Sequence, residues 1–190
     1  MKLLEERILK DGVVKPGGIL KVDGFLNHQI DPALMQAMAA EFRRLYDGAG
    51  VNKILTVEAS GIAIAIMAAS AFACPMVFAK KSRSRNISTD VWSADVESFT
   101  HGNVNTIVVS KEYLSEKDRV LIVDDFLATG AALCGLKEIC EKAGADIAGA
   151  GIAVEKVFQG GGNKLRAQGL RIESLARIAS MTDTSITFED

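Results

Sequence analysis

Two hydrophobic rhythms share this chain: short unbroken apolar runs, and longer stretches with an apolar residue every three or four positions. Unbroken runs bounded by turn residues mark buried parallel strands, and the wider spacing marks helices packed by one face. The amino terminus, M-K-L-L-E-E-R-I-L-K-D, has the helical spacing and is too charged for a signal peptide. Asp31-Pro32 starts a second helix, with Asp31 as N-cap and Pro32 at the first helical position. Leu34, Met38, Phe42 and Leu45 follow on one face, and Gly48 and Gly50 end the run. Lys53–Val57 predicts a strand, and Ser60-Gly61 turns it into an Ala/Ile-rich helix through Phe72. Pro75–Ala79 predicts the next strand. From Lys80 to about Asp90 there is no apolar period, which reads as a loop. Val91–Phe99 and Thr106–Ser110 suit a hairpin or an extended arm.

The purest apolar run is Val120–Val123, a central buried strand leading into D-D-F-L-A-T-G. A helix then runs from about Gly130 to Lys142 and stops at Gly144. Ile147–Val154 predicts another strand, Gly160–Gly162 breaks the chain, Lys164–Gln168 suggests a short helix, and Arg171–Ile178 a last strand. Alternating β and α units predict an α/β fold with a parallel, doubly wound sheet and helices on both faces. With no repeat, linker or low-complexity tract, residues 1–190 read as one domain.

Composition narrows the classes of function. At 190 residues, with 48% hydrophobic and 24% charged content, the chain is large enough for a full core. A net charge of −2 gives no overall attraction to nucleic acid or an anionic membrane. No apolar run approaches the ~20 residues that span a bilayer. Cys74, Cys134 and Cys140 form an odd set without metal-ligand spacing, which points to a reducing cytoplasm.

Candidate chemistry concentrates at the end of the central strand. Asp124 and Asp125 arrive at its C-terminal end, and a short loop follows to Thr129 and Gly130, where a helix begins. In open α/β sheets ligands bind at that edge, where helix N-termini offer free N–H groups to anions. The carboxylates, acceptors only, can grip sugar hydroxyls while the loop cradles a phosphate, so the natural ligand is a ribose phosphate. An apolar run ending in Asp-Asp also suits a P-loop ATPase, but neither G-x-x-x-x-G-K-[ST] nor G-x-G-x-x-G occurs in the chain. The bland alternative is a buried strand followed by an acidic helix cap.

The D-D-F-L-A-T-G segment resembles the phosphoribosyl pyrophosphate (PRPP) motif of type I phosphoribosyltransferases. F-L-N-H-Q-I-D-P at 25–32, I-A-V-E-K at 152–156 and E-S-L-A-R-I at 173–178 extend the likeness to the xanthine branch of purine salvage. The resemblance implies the type I fold: a parallel twisted sheet flanked by helices, with a small N-terminal hood over the base. It implies that Leu20, Asn27 and Lys156 contact xanthine, and that Ala128, Thr129, Gly130, Ala131 and Ala132 bind the 5′-phosphate. It also implies that the Glu58-Ala59-Ser60-Gly61 turn holds pyrophosphate through Ser60 and Gly61, although an ordinary tight turn has the same residues. Many members carry a second hydroxyl residue after the motif glycine. Here Ala131 and Ala132 stand there, leaving backbone N–H groups and Thr129.

Lys80-Lys81-Ser82-Arg83-Ser84-Arg85 reads as a solvated loop or, because it leaves a strand end, as cover for a polyanion. Lys81 is the first choice for a pyrophosphate contact, with Lys80 and Arg83 behind it. Lys156 is either a surface lysine or a donor to a purine oxygen at position 6, which would disfavour the amino group of adenine. Asn27 has both donor and acceptor and leaves position 2 open, so xanthine over guanine rests on the resemblance. His28, lacking a partner at triad spacing, reads as a helix-flanking polar residue.

The implied reaction is phosphoribosyl transfer from PRPP to N9 of xanthine, with Asp124, Asp125 and Lys81 as catalytic residues. Mg²⁺ rides on the substrate, no dedicated metal cage is expected, and the family implies a homodimer. Alternatives are a hypoxanthine/guanine or adenine transferase, or a PRPP-sensing regulator without catalysis. For the regulator the chain has no basic recognition helix or spare length.

Overall fold

The computed structural model describes residues 1–81, 90–97 and 104–189, so the expectation for Arg83 lies outside the described residues. Helix α1 (Lys2–Asp11) buries Leu4 and Ile8, as its spacing requires. A small hairpin of β1 (Val13–Lys15) and β2 (Ile19–Lys21) turns at Gly17 and Gly18, both at positive φ. A wide helical turn at Asp23–Asn27 then sinks Phe25 and Leu26 into the core. Helix α2 (Pro32–Leu45) starts as the residues predict. Asp31 Oδ1 accepts from the Ala33 and Leu34 N–H groups at 3.1 and 3.2 Å.

The remaining elements are β3 (Lys53–Val57), α3 (Gly61–Phe72), β4 (Met76–Ala79), β5 (Val91–Glu97), β6 (Val104–Ser110), β7 (Arg119–Leu127), α4 (Ala131–Ala143), β8 (Asp146–Lys156), α5 (Gly161–Ala167), β9 (Ile172–Met181) and β10 (Ile186–Phe188). One sheet takes the order β10-β9-β8-β7-β3-β4, parallel except for β10, which runs against β9. Strands β5 and β6 pair antiparallel as a separate arm. Lys80 and Val108 tie that arm to the end of β4, each N–H bonding the other's carbonyl at 2.9 Å.

Apolar layers cover both faces of the sheet. Successive residues of β7 point to opposite sides, so Leu121 and Val123 join Phe25, Phe42 and Ile64 in one layer. Val120 and Ile122 join Leu55, Ile107 and Leu136 in the other. Helix α2 lies close on β8 because that strand has glycines beneath it. A Cβ on Gly149 would stand 2.6 Å from the Tyr46 Oη, and one on Gly151 2.9 Å from the Phe42 ring.

Three expectations change in detail. Strand β7 continues beyond Val123 to Leu127, so Asp124 and Asp125 belong to the strand itself. Gly161 and Gly162 do not merely break the chain; they form the first turn of α5, behind Gly160 at φ 77°. Strand β9 is not the last, because a polar turn closed by the Thr182 N–H on the Ser185 carbonyl folds β10 back along it.

Candidate active site

Asp124 and Asp125 sit near the C-terminal end of β7 with 6% and 7% of their surface exposed. Asp125 accepts from the Ser60 hydroxyl at 3.0 Å and from Asn27 Nδ2 at 3.3 Å. Asp124 Oδ1 accepts the Asp125 N–H at 3.0 Å. Burial first, and then the charge of Asp125, push the Asp124 carboxyl well above the usual aspartate range; Lys81 pulls weakly the other way. This pair is rich in acceptors and poor in compensating donors. It suits a vicinal diol, a hydrated cation or a developing positive charge.

The turn before α3 closes against this pair. Its Glu58–Ala59 peptide is cis, and Ser60 is the N-cap residue of α3, its hydroxyl spent on Asp125 rather than on a helix N–H. Gly61 has no room for a side chain. A Cβ there would overlap Thr56 Oγ1 and lie 2.8 Å from Asp124 Oδ1. Glu58 Oε1 accepts the Lys81 N–H at 2.7 Å, which pins the first residues of the basic run to the turn.

Immediately after β7 the loop surrounds a cavity of about 220 Å³, lined by Phe126 and residues 127–133, by Lys81, and by Val96 and Asn105 of the β5–β6 arm. Gly130, at φ 89°, turns the chain into α4, whose first N–H groups lack partners within the helix and make an anion seat. Ala131 and Ala132 open that helix, so the cradle is backbone with Thr129 beside it. Lys81 is exposed at the cavity. Lys80 lies over the Phe78 ring at 5.9 Å and is not among the residues lining it.

The third corner is formed by Lys156 at the end of β8. Its ammonium donates to the Gly18 carbonyl at 2.9 Å and stands 5.7 Å from the Phe126 ring centre. Burial lowers its pKa. The β1–β2 hairpin thus lies over the sheet edge as a hood. Asn27 reaches the acidic pair, whereas Leu20 is 6% exposed and its side chain packs into the core.

The structure therefore joins Asn27, Ser60, Gly61, Asp124 and Asp125 in one cluster, and Lys81 with residues 128–132 in the adjoining cavity. Phe126, in the sequence only one member of the D-D-F-L-A-T-G motif, places its ring beneath Lys156 and lines the cavity. Gly161 is more than a chain breaker. Its N–H donates to the Ala128 carbonyl at 3.2 Å, and a Cβ there would stand 2.6 Å from the Gly130 nitrogen. The triple glycine was the available signal, since close backbone approach is one reason a chain needs glycine.

A family model for the phosphoribosyl transferase domain matches residues 23–162. A xanthine phosphoribosyltransferase of Finegoldia magna is 55% identical over 190 residues, covering 100% of both chains. One from Lactiplantibacillus plantarum is 53% identical over 188 residues, 99% of this chain and 96% of its own. Among solved structures, an APRTase from Giardia lamblia complexed with 9-deazaadenine superposes with a TM-score of 0.78 at 23% identity, over 92% of this chain and 97% of that one. An adenine phosphoribosyltransferase from Thermoanaerobacter pseudethanolicus gives 0.74 at 21%, over 92% and 99%. At such identities the superpositions speak for the fold alone.

Proposed function

The chain belongs to the phosphoribosyl transferase domain family, and from that premise we propose that it transfers the 5-phosphoribosyl group of PRPP to N9 of xanthine, releasing xanthosine 5′-monophosphate and pyrophosphate. The observation that carries this reading is end-to-end identity of 50–55% with enzymes named for xanthine.

Each corner of the site takes one part of the substrates. Residues 128–132 receive the 5′-phosphate on backbone N–H groups and the Thr129 hydroxyl. Asp124 and Asp125 hold the ribose hydroxyls. Ser60, Gly61 and Lys81 face the pyrophosphate. Asn27, Lys156 and the backbone of Leu20, whose side chain is turned into the core, form the xanthine end. As the new N9–C1′ bond forms, the C1′–oxygen bond to pyrophosphate breaks and the N9 proton is released. The sugar passes through a cation-like state. Nearly buried carboxylates lower the energy of that cation, and Lys81 with the α3 N-terminus takes up the charge on the leaving group. Mg²⁺ fits this arrangement as part of the PRPP substrate: a hard cation reluctant to shed water, met by the acceptor-rich pair and by phosphate oxygens.

Lys156 supports a 6-oxopurine. Its ammonium already rests on a carbonyl oxygen, that of Gly18, which the purine oxygen can replace like for like. The exocyclic amine of adenine would set donor against donor. Three free cysteines support a cytoplasmic setting, and the family resemblance supports a homodimer.

Competition of xanthine, guanine, hypoxanthine and adenine for limiting Mg²⁺-PRPP tests the reading. Xanthosine monophosphate should dominate the products. Predominance of another nucleotide would reassign the base, and no pyrophosphate release with any base would favour a non-catalytic PRPP sensor.

A further inference from the structure

Glu155 precedes Lys156 on β8 and is fully buried. Its carboxylate takes a two-pronged bond from Arg166, Nη1 to Oε1 at 2.7 Å and Nη2 to Oε2 at 2.6 Å. The Ser174 hydroxyl on β9 donates to Oε2 at 2.5 Å, and Arg177 Nε stands 3.6 Å away. Arg166 lies on α5, and its guanidinium also reaches the Ile172 carbonyl at 3.3 and 3.4 Å. The helix that Arg166 clamps begins at Gly161, the residue whose N–H meets Ala128 and whose bare Cα abuts the backbone of Thr129 and Gly130. Gly162 makes room for the Glu155 carboxylate, which a Cβ would overlap. Leu127, just before the phosphate loop, is paired in register with Glu155.

A buried ion pair is a poor source of stability, since apolar residues of the same volume serve as well or better. What it does supply is direction. A planar fork on a carboxylate fixes the rotation of α5 against β8, which a greasy contact would leave loose. From that geometry we propose that Glu155 and Arg166 are positioning residues for the transfer reaction: one buried clamp sets the height of the phosphate loop through Gly161 and the reach of Lys156 through the adjoining strand end. Neither residue is placed against a substrate. The pair couples the phosphate corner to the base corner by holding α5 and β8 in a single register. The inference rests on the proposed roles of residues 128–132 and Lys156.

The experiment compares wild type, Arg166→Lys and Glu155→Gln by steady-state kinetics, calorimetric Kd for Mg²⁺-PRPP and Tm. Arg166→Lys keeps the charge and loses the fork, and Glu155→Gln keeps the shape and a partner for Ser174. In Arg166→Lys the KM for both PRPP and xanthine, and the Kd for PRPP, should rise about tenfold or more, because small misplacements of binding groups are costly in rate. Glu155→Gln should shift the same constants in the same order. A folded variant with lowered Tm but unchanged KM and Kd would reduce the pair to a structural role and overturn the proposal; should Arg166→Lys fail to fold, Glu155→Gln decides alone. Wild-type turnover measured alongside judges the functional reading separately: inactive wild type that still binds PRPP would defeat that reading, while the Kd series would still judge the clamp.

Discussion

Asp124 works against the fold, and the proposed function gives a reason for a carboxylate to be there. Its carboxyl is held well above the ordinary aspartate value of 3.8, because burial and then Asp125 oppose its charge. The native state therefore keeps this proton to higher pH than the unfolded chain. Stability from this group falls as pH rises from about 3.8 through the native value, and the penalty is absent at lower pH, where both states are neutral. Asp124→Asn preserves an acceptor for the Asp125 N–H and removes the charge. Thermal unfolding at neutral pH should show a gain of about 1 kcal/mol, or roughly 2–4 °C in Tm, shrinking to nothing in acid. Turnover should fall about 10²-fold at the same time. A variant that lost stability at neutral pH, or kept normal turnover, would contradict this account. Asp124 and Asp125 were legible in the sequence because carboxylates at the end of an apolar run have no packing role. The commitment of Leu20 to the core was not, since one leucine in a short strand says nothing of which side it faces.

At the scale of elements, glycines serve two different ends. Gly151, paired with Val123 of β7, lets α2 settle on β8 with its open side turned to the Phe42 ring, whereas Gly61 lets α3 begin against Thr56 and Asp124. Gly151→Ala would press on the Phe42 ring and should cost about 1–3 kcal/mol of stability by overpacking, with KM for both substrates unchanged. Gly61→Ala would displace the Asp124 carboxylate and the turn proposed to face pyrophosphate, so kcat/KM should collapse beyond what any loss of Tm explains. Equal kinetic damage from the two substitutions would refute the distinction. The element pattern itself was readable: β3, α3 and α4 lie within a residue or so of their predicted bounds, because turn residues and apolar periods agreed there. Strand β10 escaped because three residues are too few to show a period, and α5 was shortened because glycine argues against a helix until its neighbours are seen.

For the molecule as a whole, binding and stability are linked. A ligand taken up by the native state alone, at a hundred times its Kd, stabilises by about 2.7 kcal/mol, which for a chain of this size is a rise of roughly 5–10 °C in Tm. Saturating PRPP with Mg²⁺ should produce such a rise by differential scanning calorimetry. Chelation of Mg²⁺ should remove most of it, since a −2 protein then meets a polyanion whose charge the metal no longer offsets. A shift indifferent to chelation would mean that the metal is no part of the bound substrate.

Local physics belongs to the chain as written: apolar runs declare strands, Asp31 declares a helix start, and paired aspartates before a Thr-Gly loop declare an acidic strand end beside a helix N-terminus. Such features depend on neighbours along the backbone, which a sequence displays directly. Only the tertiary structure brought Asn27 to Asp125, Lys156 to Gly18, and Arg166 to a carboxylate sealed behind the loop that follows β7. Those meetings depend on strand order and on how closely helices can approach, and distance in space is not written in distance along the chain.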